Sequence, residues 1–201
     1  MTTTLPVQPD ILAPVPPCGL ALVFRMALES DPRPALVRLR ESFDPAWGIV
    51  GLGDPLIKTI GAALPGLRPF PALSGPGCSV PSTQAALWIF LRGEAQGEVF
   101  DRCESVKALL GDAFVLEEGT DVFVYAGGRD LTGYEDGTEN PQDDEAVAAA
   151  LVASGTGMAG SSYVAVQRWV HDLEHFRGHS QAEQDDIIGR LVKKTLFVGV
   201  F

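Results

Sequence analysis

Apolar and polar positions along the chain follow two rhythms, one of strands and one of helices. Gly19–Leu28 (GLALVFRMAL) is an apolar run broken only by Arg25, and it predicts a buried strand. Pro32 and Pro34 follow. ALVRLRESF then sets apolar residues at helical spacing up to Asp44-Pro45. Trp47–Leu52 (WGIVGL) predicts a second strand, and Pro55 opens a short helix over LIKTIGAAL, in a first turn where its missing N–H costs nothing. Pro65–Pro81 is so rich in proline and glycine that an ordered loop without regular structure is expected. Ala85–Leu91 predicts a third strand and Glu98–Leu110 a helix. Phe114–Tyr125 predicts a fourth strand, with a break expected near Gly119. The order β-α-β-β-α-β predicts a ferredoxin-like α+β sandwich over residues 1–126, a four-stranded sheet covered on one face by two helices.

After Tyr125 the pattern changes. Gly127–Asp144 is polar, acidic and glycine-bearing, and Glu145–Ala153 reads as an alanine-rich helix. Ser161–Trp169 (SSYVAVQRW) predicts a strand. Leu173–Phe176 and Ala182–Ile188 read as helical, with Ser180 as N-cap and Glu183 three residues on. The terminal LVKKTLFVGVF is strand-like. One strand, some helix and an apolar end do not make a full sheet layer. Residues 127–201 are therefore expected to form part of a second domain, completed by a partner or cut short.

Charge sharpens this division. The 201 residues hold 26 acids and 15 Lys+Arg, a net of −11. Eleven of the acids and a single base, Arg129, lie between Asp112 and Glu145, so that stretch alone carries −10. No basic surface is available for nucleic acid or anionic lipid. No apolar run approaches membrane-spanning length, and the proline-broken N-terminus lacks the basic region of a signal peptide. Cys18, Cys78 and Cys103 are odd in number and follow no metal or redox spacing, so free thiols in a reducing cytoplasm are expected.

Three stretches could carry chemistry. In Arg129–Pro141 (RDLTGYEDGTENP) the carboxylates Glu135, Asp136 and Glu139 surround an Asp-Gly turn that can hold Asp136 outward. An ordinary solvated turn is the plain alternative. A calcium loop is excluded, because two ligand positions carry the wrong residues and the closing Glu is missing. His171-Asp172-Leu173-Glu174-His175 matches H-x-x-E-H, which on a helix sets both histidines on one face. A catalytic zinc needs a third ligand, however, and only Glu183, Asp185 and Asp186 follow, so no metal-ligand set is assigned.

RDLTGYEDGTENP resembles the G-x-x-D-G region of the dye-decolorizing peroxidases, close to the GFxDGTENP form of their bacterial cytoplasmic members. QPDILAPVP resembles the family's Q-x-G-I-L opening, with Asp10 where glycine is usual. GSSYVAVQRWVHDLEHF and AEQDDIIGR resemble the segments that follow the motif. The resemblance implies two ferredoxin-like halves of the dimeric α/β barrel type, with haem b held at the second. It implies peroxide reduction followed by oxidation of dyes, phenolics or other small organic donors. It places the distal aspartate on Asp136, sets Gly137, Thr138 and Glu139 against the haem, and puts Arg190 near a propionate. His171 falls in the QRWxH stretch and is not implied as the iron ligand. The family's proximal histidine and distal arginine would follow Arg190, so a C-terminally truncated member is expected. The alternative expectation is a non-catalytic assembly module that self-associates into a homo-oligomer through its incomplete second domain.

Overall fold

The apolar run after Pro17 forms β1 (Cys18–Met26), and α1 (Arg33–Ser42), β2 (Gly48–Leu52) and α2 (Asp54–Thr59) follow. Two three-residue strands, β3 (Leu73–Gly75) and β4 (Cys78–Val80), lead to β5 (Leu87–Gly93), α3 (Gln96–Leu110) and β6 (Phe114–Phe123). Beyond them lie α4 (Asp143–Ala150), α5 (Leu173–Gly178), α6 (Gln181–Ile188), β7 (Arg190–Leu191) and β8 (Lys194–Phe197). The computed structural model describes residues 7–153, 158–168, 170–191 and 194–197, with side chains described as far as residue 189. The chain divides into two compact units, one of Met1–Phe123 with Val147–Ala165 and one of Val124–Ala146 with Val166–Phe201.

In the first unit β1, β2, β5 and β6 form one antiparallel sheet in the order β2-β5-β1-β6. This is the strand order of a ferredoxin-like sandwich, with α2 and the β3–β4 hairpin inserted before the third sheet strand. Strict alternation on β5 buries Leu87, Ile89 and Leu91 and turns Trp88, Phe90 and Arg92 to the opposite face. On β1, Phe24 stands opposite Leu87 and Leu22 opposite Ile89, so the same face continues across the ladder. Helices α1 and α3 pack on each other. They contribute Ala35 and Leu39, and Val99, Cys103, Val106 and Leu110, to the core over that face. Burial pushes the Cys103 thiol up, which makes it an inert core residue.

The opening segment is tied to the sheet by polar contacts. The Gln8 side chain donates to Val50 O (3.0 Å) and accepts from Val50 N (2.8 Å), acting as one extra rung on β2. Asp10 is buried and paired with Arg92, whose Nη2 also donates to Pro14 O (2.9 Å). Gly48 starts β2 at φ +148°, where any Cβ would lie 1.8 Å from Phe90 O, so only glycine allows this approach of β2 to β5.

Three elements differ from the sequence expectation. Residues 65–81 contain the β3–β4 hairpin, in which Gly75 pairs with Cys78 and Pro76-Gly77 makes the two-residue connection. Strand β6 runs unbroken past Gly119. Its irregularity lies at Glu117, the extra residue between Leu116 opposite Phe24 and Glu118 opposite Val23. Residues 161–168 have a strand-like sequence but join no ladder among the described residues, and Trp169 lies outside them. Strand propensity specifies an extended chain, whereas a ladder needs a neighbour.

Ile89→Ala should lower stability by about 2–5 kcal/mol in urea denaturation, because the site is closed on every side. Val37→Ala, on the exposed face of α1, should stay within about 0.5 kcal/mol of the parent.

Candidate functional site

Beyond β6 the polar segment folds into a small self-contained turn structure in the second unit. Gly128 N and Arg129 N donate to Tyr125 O at 3.0 and 2.9 Å. Asp130 N donates to Tyr134 O (2.9 Å) and Gly133 N to Asp130 O (3.0 Å), which closes the next turn. The Asp130 carboxylate accepts from Thr132 N (2.8 Å) and from its hydroxyl. Arg129, the one base of the acidic stretch, donates to Gly133 O (2.7 Å) and pairs with Glu135 (3.2 Å).

Asp136 follows directly, exposed. Its Oδ1 accepts from Gly137 N at 2.8 Å. Gly137 sits at φ +68°, a left-handed position, and a Cβ there would meet the Asn140 amide at 2.8 Å. Asn140 N donates to Gly137 O (3.1 Å), which closes the turn. Thr138 and Glu139 are exposed on it. Asp136, Gly137, Thr138 and Glu139 thus form one contiguous edge. Arg190 opens β7, and its side chain lies outside the described part.

Among residues 124–142 Tyr134 alone is fully buried, at 1% exposure. Its ring meets Phe176 of α5 edge-on at 6.2 Å. Its hydroxyl donates to Asp185 Oδ1 (2.6 Å) and accepts from Gln181 Nε2 (3.1 Å), and Gln181 Nε2 also donates to Asp185 Oδ1 (2.9 Å). Gln181 and Asp185 are one helical turn apart on α6, so both reach the same phenol. The start of α6 is fixed by the expected capping box, in which Ser180 and Glu183 satisfy each other's backbone N–H groups. The Ser180 contacts also hold the Glu183 carboxyl below its usual range.

The H-x-x-E-H spacing does not produce a metal site. Helix α5 begins at Leu173 with Asp172 as its cap, so His171 precedes the helix and does not share a face with His175. His175 instead packs edge-on against His179 at 4.8 Å, in a cleft of about 460 Å³ lined by Asp172, Glu174 and Gly178. Among the described residues no three His, Cys, Asp or Glu side chains gather to hold a metal ion.

Residues 127–196, from just before Arg129 to the terminal hairpin, match the family model described as Dyp-type peroxidase, C-terminal. The chain is 30% identical to the dye-decolorizing peroxidase of Mycobacterium tuberculosis over 90% of its own length, and 33% identical to that of Mycolicibacterium paratuberculosis over 92%. Over nine tenths of its length the chain is similar to dye-decolorizing peroxidases. It spans 58% and 56% of the length of those two relatives. The fold is likewise that of solved dye-decolorizing peroxidases. A haem complex of a DypB variant from Rhodococcus jostii RHA1 superposes with a TM-score of 0.86 at 28% identity, covering 96% of this chain and 67% of that one. Among the described residues no helix is long and apolar enough to cross a membrane.

Sequence reasoning missed the Tyr134–Gln181–Asp185 triangle. Its trace was present in the motif itself, which has tyrosine where GFxDGTENP has phenylalanine. A hydroxyl added to a buried ring needs a partner.

Burial, followed by the hydrogen bond to Asp185, pushes the Tyr134 phenol up to about 12 from 10.0. The folded chain therefore favours the neutral phenol. Its contribution is intact below pH 10 and is lost as pH rises through about 12. Absorbance titration of phenolate should show a late-ionising component that Tyr134→Phe removes. The same change should flatten the loss of stability between pH 10 and 12.

Proposed function

We propose that this chain contributes the peroxide-facing side of a haem peroxidase, with Asp136 as the proton-handling carboxylate. The observation that carries this reading is the state of Asp136. It is exposed at a turn fixed by Gly137, and the nearby guanidinium of Arg129 is engaged by Glu135 and Gly133 O. A carboxylate so placed can exchange a proton with a small ligand at its open side. The haem bound by the DypB variant supports the choice of cofactor.

The exposed turn at Asp136–Glu139 leaves room for such a group on one side. By the family resemblance Gly137, Thr138 and Glu139 would lie against the haem and Arg190 would pair with a propionate, a pairing suited to two parallel hydrogen bonds. No histidine is assigned as the iron ligand among the described residues. The chain's three histidines lie between 171 and 179, and His175 and His179 pack on each other. The fit therefore covers the carboxylate side alone.

Haem, when bound, supplies the electrons that break the O–O bond. Asp136 takes the proton from one peroxide oxygen and returns it to the other, which leaves as water. The same carboxylate serves first as base and then as acid, and ends as it began. Small organic donors such as dyes or phenolics restore the electrons. The two core thiols, Cys18 and Cys103, support a reducing, cytoplasmic setting.

A second reading, an assembly module that self-associates, draws on the exposed apolar side chains Tyr163, Val164, Val166 and Val170. A monomer of 21.4 kDa by size exclusion with light scattering would remove it.

Reconstitution with haemin tests the first reading. Peroxide-dependent dye bleaching is expected, and Asp136→Asn should lower it by about a hundredfold or more at unchanged haem content. Bleaching equal to that of free haemin, or untouched by Asp136→Asn, contradicts it.

A further inference from the structure

Asp136 itself is held only by a long bond from its backbone N–H to Gly128 O (3.4 Å). Among the described residues its carboxylate has no partner outside its own turn, and the residues on either side are exposed or half-buried. Its position is inherited from the backbone of 133–137, and that backbone reaches packed ground through the Tyr134 side chain. The attachment has two parts. The ring against Phe176 fixes depth but tolerates rotation and sliding, because apolar contact is not directional. The hydroxyl, bonded to Asp185 and Gln181 together, fixes orientation. One phenol has one proton to give and few acceptor sites, and here both capacities are used on groups one helical turn apart.

We propose that Tyr134 is a positioning residue for Asp136, its hydroxyl locking the Asp136 turn onto Gln181 and Asp185 of α6. This rests on the proton-handling role proposed for Asp136 and adds the device that aims it. The support is stiff at both ends. The Ser180–Glu183 capping box holds α6 where Gln181 begins it. On the other side, the Asp130 N–Tyr134 O bond and the Arg129 clamp hold the loop. Only Glu135 separates Tyr134 from Asp136, so a rotation about the Tyr134 backbone is passed on to Asp136 with little to absorb it. In this chain, where the hydroxyl meets Gln181 and Asp185, Tyr134→Phe would keep the packing and lose this lock.

Amide hydrogen exchange on the chain without haem is the first arm. In Tyr134→Phe, amides of 133–137 should exchange at least about tenfold faster, while those of β1 and β5 keep their rates. Asp185→Asn keeps an oxygen acceptor for the phenol and should stay close to the parent, whereas Asp185→Leu should behave like Tyr134→Phe. Unchanged loop exchange in Tyr134→Phe, or an equal rise in β1 and β5, overturns the lock. The second arm uses the haemin-loaded chain. Tyr134→Phe should slow peroxide consumption by about ten- to a hundredfold at unchanged haem affinity. A rate equal to the parent's, where Asp136→Asn abolishes consumption, overturns the positioning role. If Asp136→Asn has no effect, the peroxidase reading is what fails, and the exchange arm still decides the lock.

Discussion

The register of β1 against β5 is the constraint on which the first unit rests. Leu22 faces Ile89 and Phe24 faces Leu87. A slip of one residue would turn one of these sets away from α1 and α3 and bring Trp88, Phe90 and Arg92 inward in exchange. The cost of burying Arg92 among apolar neighbours makes that alternative inaccessible. Correct register also leaves Arg92 on the face where Asp10 meets it, and Arg92 in turn reaches Pro14. A single pairing choice thus sets the core and fastens the opening segment.

Much of this was legible in the chain. The run at Gly19–Leu28, the alternation over Leu87–Gly93 and the helical spacing of Val99, Cys103, Val106 and Leu110 report burial directly, because a half-buried element must repeat with its own geometry. The β3–β4 hairpin was not legible, since proline and glycine mark a bend without saying whether the flanks will pair. The bulge at Glu117 was hidden for a different reason. It depends on the partner strand, and nothing in β6 alone distinguishes Glu117 from Glu118. Residues 161–168 carried the opposite error, a strand signal with no partner among the described residues.

The site divides along the same line. The turn at Asp136-Gly137 was readable because Asp-Gly is a local signal whose meaning lies in two adjacent residues. H-x-x-E-H sets both histidines on one face only where one helix carries both, and α5 starts two residues too late to carry His171, a boundary that the cap at Asp172 decides. Tyr134 and Asp185 are 51 residues apart, and their meeting is a property of the folded chain. A spacing argument sees neighbours along an element and is blind to a contact across such a gap.

The acidic stretch has a consequence for whatever approaches the loop. Its net of −10 is offset within the stretch by Arg129 alone, and that guanidinium is turned inward onto Glu135 and Gly133 O. The Asp136 turn therefore lies in a segment, 129–145, with seven acids and one inward-turned base, and its local potential is negative. An uncharged molecule arrives indifferent to that field. A cationic molecule is gathered by it, and an anionic one is held off until added salt shortens the reach of the charges. The turn sorts visitors by charge before any side chain touches them.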